Sequence, residues 1–138
     1  MSRVYKCLPC WKYTEGDYTL TSIRDEDKYA IMKWRNEQID ILRQNELLTV
    51  QQQEHYFATV VDSLFEEQAP KQLLFSFFEG TKLVGYGGLV HIDWLSRNGE
   101  ISFITETQRS RDQSLFVGDW MTYLNLLKKM VGAHLGFI

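Results

Sequence analysis

The chain has 138 residues, of which 44% are hydrophobic and 14% aromatic, so it is long enough and apolar enough for one domain with a packed core. Its formal net charge of -3 gives no electrostatic reason to expect a nucleic-acid partner. No apolar run reaches the roughly 18 to 20 residues of a membrane-spanning helix, and the N-terminus has no signal-peptide pattern, so we expect a cytoplasmic protein without a membrane partner.

A Cys-x-x-Cys pair, Cys7 and Cys10, lies near the N-terminus. Such a pair can be a redox motif or half of a zinc site. A tetrahedral zinc site needs two more ligands, whereas the chain has no other cysteine and its three histidines are scattered. A redox pair normally lies at the start of a helix, which the following residues do not predict. We therefore expect two free thiols and no metal.

The first half of the chain predicts one strand and two helices. Alternating β-branched residues predict a strand over residues 18–23. Acidic residues then mark the start of a helix over residues 25–35. Its expected buried residues are Tyr29, Met32 and Ile31.

Residues 49–67 predict the clearest helix. Thr49 and Gln52 fit a capping box, in which each side chain satisfies a backbone N–H group at the helix start. Apolar residues recur at spacings of three and four and predict one buried face. These residues are Tyr56, Phe57, Val60, Val61, Leu64 and Phe65.

The second half predicts three strands, over residues 72–78, 82–93 and 100–105. Short turns join them, so they must form an antiparallel meander. Gly85, Gly87 and Gly88 lie inside the middle strand with no helix directly after them. They are therefore not a phosphate-binding loop and favour a bulge or a close approach of substrate.

A last helix is predicted over residues 114–131, with Ser114 as its cap and Gly132 just after its end. Its expected buried stripe is Val117, Trp120, Met121, Leu124, Leu127 and Met130 or Val131. The apolar residues 135–138 then predict the start of another strand, reached by a parallel crossover. The expected fold is α/β, a mixed sheet with an antiparallel meander and packed helices.

Three short motifs occur in the order of a known family. They are Trp34, Arg35 and Asn36 near the end of the first helix, Leu-Val-Gly-Tyr-Gly-Gly-Leu at residues 83–89, and Gly-Glu-Ile-Ser-Phe at residues 99–103. Together they resemble the N-terminal two thirds of the GNAT superfamily, the acyl-CoA-dependent N-acetyltransferases. The resemblance covers residues 18–138 of a single domain and is greatest to the branch that acetylates amino groups of sugars, sugar nucleotides or protein N-termini.

The resemblance implies acetyl-CoA as co-substrate. The pantetheine arm would lie along the strand of residues 100–105, held at Phe103, Ile104 and Thr105. The pyrophosphate would lie at the N-terminus of the following helix, where unpaired N–H groups and the helix dipole favour negative charge. Side chains expected to contribute there are Arg109, Ser110, Arg111 and Ser114.

The chain departs from the family in two ways. The family's pyrophosphate loop contains glycines, whereas residues 109–114 contain none, and Asp112 would face the phosphates. The family's last third, which often supplies a tyrosine that protonates the leaving thiolate, has no counterpart here. These departures leave open a non-catalytic interaction or dimerisation module formed through an open sheet edge, or an inactive truncated enzyme.

The resemblance places a general base at Glu100, which begins the last predicted strand. His91 is the other candidate base. It lies two residues before Asp93, so both should face the same side of the strand, and Asp93 would orient it or contact substrate. A solvated carboxylate at Glu100 and an ordinary polar strand end at 91–93 are the alternative interpretations.

Trp34, Arg35 and Asn36 are the candidates for the acceptor pocket, with a core position as the alternative for Trp34. The predicted function is therefore transfer of acetyl from acetyl-CoA to a primary amine, on an amino sugar or sugar nucleotide. The amine would attack the thioester directly.

Overall fold

The computed structural model describes residues 3–42 and 44–136, and within them five strands form one antiparallel sheet. The strands are β1 (Lys12–Glu15), β2 (Tyr18–Ser22), β3 (Leu73–Glu79), β4 (Lys82–Asp93) and β5 (Asn98–Thr105). They lie in the sheet in chain order, and each pairs antiparallel with the next. β5 is an edge strand, and no described strand lies on its outer side.

Helices fill the segment between β2 and β3 and the segment after β5. A 3-10 turn (Asp25–Asp27) leads into α1 (Lys28–Glu37), and α2 (Val50–Tyr56) continues through a π-helical segment (Phe57–Val61) into α3 (Asp62–Leu64). After β5 come α4 (Thr107–Arg111), α5 (Gln113–Leu127), a second π-helical segment (Lys128–Gly132) and α6 (Ala133–Leu135). In the part of the chain that the structure describes, none of these helices combines the length and apolar character needed to cross a bilayer.

The predicted fold class and the meander of β3, β4 and β5 are confirmed. The structure adds β1, which the sequence analysis does not predict. All four of its residues are exposed, so no alternation of apolar and polar residues marks it. Pairing with β2 across the two-residue turn Gly16-Asp17, where Gly16 has a φ of 61°, holds this strand in place.

The core lies between the sheet and the helices and is rich in aromatic rings. Tyr5 is fully buried, and its ring stacks on Phe65 with the centroids 4.0 Å apart. Its hydroxyl donates to the carbonyl oxygen of Leu74 at 2.7 Å and accepts from the Leu74 N–H at 2.9 Å. The N-terminal segment, which contains the free thiols Cys7 and Cys10, is thereby fixed to β3.

The capping box of Thr49 and Gln52 is confirmed, but the predicted buried faces of the first two helices are only partly right. α1 buries Ile31 and Trp34, whereas Tyr29 is 45% exposed and its hydroxyl donates to the Glu54 carboxylate. In the second helix Phe57, Val61, Leu64 and Phe65 are buried, whereas Tyr56 and Val60 are exposed. The exposed pair borders the pocket described below, so packing does not cover it.

The predicted stripe of the last helix is right in part, and both of its predicted ends are wrong. Asp112, not Ser114, caps α5. Leu127, Met130 and Val131 are buried as predicted. Val117 and Met121 are 49% and 65% exposed, because the buried face of the first part of α5 carries Asp119 and Tyr123 instead. Apolar residues occur on every side of this helix, so their spacing does not single out the buried face.

The helix also continues past Gly132, which has an ordinary helical φ of −60°. It ends at Gly136, whose φ of 74° is left-handed and typical of a helix C-terminus. The predicted strand over 135–138 is therefore not seen at Leu135, which lies in α6, while residues 137 and 138 lie outside the described residues.

Candidate active site

A pocket of about 580 Å³ lies between the helices and one face of the sheet. Its wall is formed by α1, α2 and the π-helical segment that follows α2, and its floor by β3, β4 and β5. The lining residues from the helices and their flanking loops are Ile23, Ile31, Arg35, Leu48, Gln52, Gln53, His55, Tyr56, Phe57, Thr59 and Val60. Those from the sheet side are Gln72, Leu74, Tyr86, Val90 and Ser102.

Arg35 and Tyr86 meet in this pocket. The Arg35 Nη1 donates to the Tyr86 hydroxyl oxygen at 2.9 Å. Burial raises the pKa of Tyr86, and the neighbouring Arg35 lowers it, with a net rise. The phenol therefore keeps its proton at neutral pH and can itself donate a hydrogen bond. Of the predicted acceptor residues, Arg35 is the one that lines the pocket.

Asn36 and Trp34 are not among the residues that line the pocket. The Asn36 Oδ1 accepts from the Leu48 N–H at 2.8 Å, and its Nδ2 donates to the Leu48 carbonyl oxygen at 3.0 Å. This amide therefore holds the loop between α1 and α2 against α1. Trp34 is 5% exposed and packs in the core, which is the alternative considered for it.

Glu100 lies on the pocket side of β5. It pairs with Val90 across the strands, and Ser102, two residues further on, lines the pocket together with Val90. Because residues two apart on a strand share a face, Glu100 faces the same side as Ser102. Glu100 is therefore exposed on the pocket face of β5, two residues beyond the lining residue Ser102, and is not itself a lining residue.

The structure does not bring His91 and Asp93 into a pair. The register of β4 and β5 shifts between Val90 and Asp93, and His91 has a φ of 50°. This bulge interrupts the alternation on which the shared face depends. The Asp93 carboxylate instead accepts from the N–H groups of Ser96 and Leu95 in the following turn, which lowers the pKa of Asp93.

Along the outer edge of β5, the backbone groups have no partner strand among the described residues. The Glu106 N–H donates to the Val84 carbonyl oxygen, so the backbone groups of residues at even positions, Ile104 among them, face β4. Those of Phe103 and Thr105 face outward. The Thr105 carbonyl oxygen accepts from the Gln38 Nε2 at 2.9 Å, which ties this end of β5 to α1. The groups of Phe103 lie on the part of the edge that no described strand covers.

Gly87 permits a close approach of β5 and α5, whereas the sequence predicts a bulge or a close approach of substrate at this glycine. A Cβ there would lie 2.0 Å from the Ser102 carbonyl oxygen and 2.8 Å from the Tyr123 hydroxyl. Tyr123 donates to that same carbonyl at 2.7 Å, and its ring stacks on Phe103 at 4.2 Å. α5 is thereby packed directly against β5.

A carboxylate occupies the N-terminus of α5. The Asp112 Oδ1 accepts from the Leu115 N–H at 3.2 Å, which lowers the pKa of Asp112, and from the Ser114 hydroxyl at 3.1 Å. Arg111 and Ser114 are exposed beside it, whereas the Ser110 hydroxyl donates to the Thr107 carbonyl oxygen. Of these predicted cofactor residues, Arg111 and Ser114 lie at the surface of the helix start.

Arg109 is turned inward, away from this surface. It is 8% exposed, and its Nε and Nη2 donate to the Asp119 carboxylate at 2.8 and 2.7 Å. Its Nη1 donates to Glu79 at 2.9 Å. The hydrogen bonds to Asp119 raise the pKa of Arg109. Its charge is therefore used within the fold, where it joins α4 to α5 and to the end of β3.

Sequence patterns do not single out Tyr86, Ser102 or Asp119. Tyr86 lies among three glycines, which predict backbone rather than side-chain chemistry. Asp119 lies in an apolar helix, where a single carboxylate gives no signal until its partner is known. Among the described residues, no group of three or more His, Cys, Asp or Glu side chains is arranged to hold a metal ion.

Residues 20–129 match the family model described as Acetyltransferase (GNAT) domain. The chain therefore belongs to the GNAT acetyltransferase family. Comparison with curated protein sequences gives no match.

Solved structures of this fold include several N-acetyltransferases. The spermidine N-acetyltransferase of Vibrio cholerae, in complex with CoA and spermine, has a TM-score of 0.55 and 18% identity, covering 81% of this chain and 68% of that one. The ribosomal-protein-S5-alanine acetyltransferase of Vibrio fischeri has a TM-score of 0.53 and 13% identity, covering 83% and 69%. A chimera of the Vibrio cholerae enzyme and hSSAT has a TM-score of 0.56 and 16% identity, covering 68% and 53%. The chain thus spans about half to two thirds of the length of these proteins.

Proposed function

We propose that this chain transfers an acetyl group from acetyl-CoA to a primary amine. The observation that carries the proposal is the position of the pocket: Ser102 of β5 lines it, while no described strand pairs with the outer edge of β5. An acceptor in the pocket and a pantetheine arm along the edge would meet at the same strand. The family match over residues 20–129 supports acyl-CoA as the donor.

Glu100 is the proposed general base. It lies two residues beyond Ser102 on the pocket face of β5, where it could take a proton from the ammonium group directly or through a water. The neutral nitrogen then forms a bond to the thioester carbonyl carbon, the carbon–sulfur bond breaks, and sulfur leaves as the CoA thiolate. The second amine proton neutralises that thiolate. His91, exposed on the neighbouring bulge, is the other candidate base.

The proposed cofactor site combines the β5 edge with the start of α5. The backbone of Phe103 and the N–H of Thr105 would bond the pantetheine amides as an added strand would. Arg111, Ser114 and the first N–H groups of α5 would contact the pyrophosphate. Arg109 would not contact it, because its guanidinium is held by Asp119 and Glu79.

An amino sugar is the proposed acceptor. Polar groups suited to hydroxyls line the pocket, including Gln52, Gln72 and Ser102, and the rings of Tyr56 and Tyr86 offer apolar surface. Among the described lining residues there is no carboxylate, although a site for a polyamine would need several to balance its charges. The pocket therefore favours an acceptor with few positive charges.

A non-catalytic interaction module is the second candidate. The capping carboxylate of Asp112 favours it, because this negative charge lies where a pyrophosphate would bind. The uncovered edge of β5 would then pair with a strand of another chain, such as a second copy of this one.

Acetyl-CoA binding measured by calorimetry tests the proposal. We expect micromolar binding by the unaltered chain, about tenfold weaker binding by Arg111→Ala because one charged phosphate contact is lost, and no change in Lys33→Ala, an exposed lysine of α1. Release of free CoA thiol with glucosamine as acceptor would establish transfer. Absence of binding at millimolar acetyl-CoA by folded protein would contradict it and favour the interaction module.

A further inference from the structure

Among the described residues, Arg35 has no anionic partner, unlike Arg24 and Arg109. Arg24 donates to both carboxylate oxygens of Asp27, and Arg109 does so to Asp119. Arg35 is half-buried, and its side-chain partner among the described residues is a neutral phenol, Tyr86. A guanidinium without an anion in a partly desolvated pocket favours any negative group that can reach it.

The rest of the pocket does not balance this charge. Arg35 is its one formally charged lining residue among those described, and the other lining residues are apolar, hydroxyl-bearing, amide-bearing or, at His55, an imidazole. The Gln53 amide donates to the Lys28 carbonyl oxygen, and the Gln72 amide donates to the Tyr56 hydroxyl, so both have partners within the protein. The electrostatic character of the pocket is therefore set by Arg35.

Tyr86 adds a second donor at the same point. Its hydroxyl oxygen accepts from Arg35, which leaves its own hydrogen to donate, and no acceptor for that hydrogen is found among the described residues. The Arg35 guanidinium retains further N–H groups besides the one that it gives to Tyr86. Two donors, one of them cationic, thus meet at the base of the pocket and match the oxygens of a phosphate or carboxylate.

We propose that the acceptor amine also carries an oxyanion, a phosphate or a carboxylate, which binds to Arg35 and the Tyr86 hydroxyl. This inference rests on the proposed function and specifies its substrate class: an anionic amino sugar rather than a neutral one or a polyamine. Arg35 is a specificity residue in this scheme, and Glu100 remains the base.

The sheet register places the proposed oxyanion site and the proposed base at different ends of the pocket floor. Tyr86 pairs with Ile104, and Ser102 lies two residues from Ile104 on the same face. Tyr86 and Ser102 are thus diagonal neighbours, whose Cα atoms lie about 7–8 Å apart in an antiparallel pair. Glu100 lies two residues beyond Ser102, so the amine and the oxyanion of the acceptor would lie along the strand direction of β5.

Binding of candidate acceptor amines to the whole chain tests the proposed oxyanion site and does not depend on catalysis. Calorimetry would compare glucosamine, glucosamine 6-phosphate, the carboxylate-bearing muramic acid and spermidine, with and without bound CoA. We expect one or both of the anionic sugars to bind roughly 10- to 100-fold more tightly than glucosamine, and spermidine to bind more weakly than either. The phosphate and carboxylate arms show which oxyanion the site prefers.

Substitutions of Arg35, with a control on the same helix, distinguish loss of the oxyanion site from general effects on the fold. Arg35→Gln should bring anionic and neutral sugars within about twofold of each other, while Arg35→Lys should keep part of the preference because it keeps the charge. Lys33→Gln, an exposed lysine on the same helix, should keep all of it. Should Arg35→Gln fail to fold, shifts of the Tyr86 and Ser102 amide signals on titration of the unaltered chain with inorganic phosphate provide the same test.

Equal affinity for glucosamine and both anionic sugars would overturn the inference, as would tighter binding of spermidine or an unchanged preference in folded Arg35→Gln. Unmoved Tyr86 and Ser102 signals would do so as well. These outcomes are distinct from failure of the proposed function, which would appear as loss of acetyl-CoA binding or of acetyl transfer while the sugars still bind.

Discussion

Asp119, buried on α5, accepts two hydrogen bonds from the guanidinium of Arg109. The Nη1 of the same guanidinium donates to Glu79, the last residue of β3. α4, α5 and the sheet are joined at this point by one side chain. The start of α5, which is proposed to hold the pyrophosphate, is therefore held in position by the ion pairs of Arg109 with Asp119 and Glu79.

Removing Arg109 should destabilise the fold strongly. Arg109→Ala leaves the Asp119 carboxylate buried without a partner, which costs about 3–5 kcal/mol of unfolding free energy. Arg111→Ala, which removes an exposed arginine two residues away, should change it by less than about 0.5 kcal/mol. Urea unfolding measures both, and equal effects of the two substitutions would contradict the structural role of Arg109.

Two glycines should respond to alanine with opposite signs. A Cβ at Gly87 meets the Ser102 carbonyl oxygen and the Tyr123 hydroxyl, so Gly87→Ala should cost about 1–3 kcal/mol. Gly118 lies inside α5 with no atom within 4 Å of its Cβ position. Gly118→Ala should stabilise by about 0.5–1 kcal/mol, because alanine is the better helix former. Unfolding midpoints measured side by side would show whether the signs differ.

The capping box that begins α2 should have a measurable effect. Thr49→Ala removes the oxygen that accepts from the Gln52 N–H, at an expected cost of about 1 kcal/mol. Thr49→Ser keeps that oxygen and should stay within a few tenths of a kcal/mol of the unaltered chain. A Thr49→Ser variant as unstable as Thr49→Ala would assign the loss to the methyl group rather than to the cap.

Asp112 should weaken cofactor binding through its charge. Asparagine caps a helix as well as aspartate, so Asp112→Asn removes the negative charge and keeps the acceptor for the Leu115 N–H. On the proposed function we expect roughly two- to fivefold tighter acetyl-CoA binding at low salt. The gain should shrink as ionic strength rises. Unchanged affinity at both salt concentrations would place the pyrophosphate away from this helix start.

Low pH should destabilise the fold through two carboxylates, those of Asp93 in a turn and Asp112 at a helix cap. Backbone N–H donors lower the pKa of Asp93 and Asp112 below the ordinary value of about 3.9. Their stabilising effect is therefore complete above that value and is lost as the pH falls through the lowered folded-state pKa. Thermal unfolding of the unaltered chain should thus shift down more between pH 6 and pH 3 than that of Asp112→Asn. Parallel shifts would contradict the assignment.

Strands with strong local signals could be predicted from sequence, and helix faces could be predicted only in part. The bounds 82–93 of β4 are correct because apolar residues and turns mark them on both sides. On α5 the buried face carries Asp119, whose burial depends on Arg109 ten residues earlier, and no local pattern encodes that partnership. For β1 a signal did exist, since Gly16-Asp17 is a typical two-residue hairpin turn.

For the candidate site as well, residues in local motifs could be predicted, whereas contacts between distant elements could not. Arg35 and Glu100 are predicted from motifs, and the structure places both on the pocket side of the molecule. The pairing of His91 with Asp93 depends on a regular strand, and a bulge interrupts the strand at that point. Arg109 is predicted as a surface contact because its sequence position does not show that Asp119 and Glu79 converge on it from other elements.

Asn36 and Arg35 are consecutive residues of α1, and each bonds to a residue that lines the pocket. The Asn36 amide bonds to both backbone groups of Leu48, and Arg35 donates to the Tyr86 hydroxyl. One helix therefore connects the loop of residues 44–48 to the sheet floor of the pocket. A substitution that displaces α1 should alter the pocket at Leu48 and at Tyr86 together.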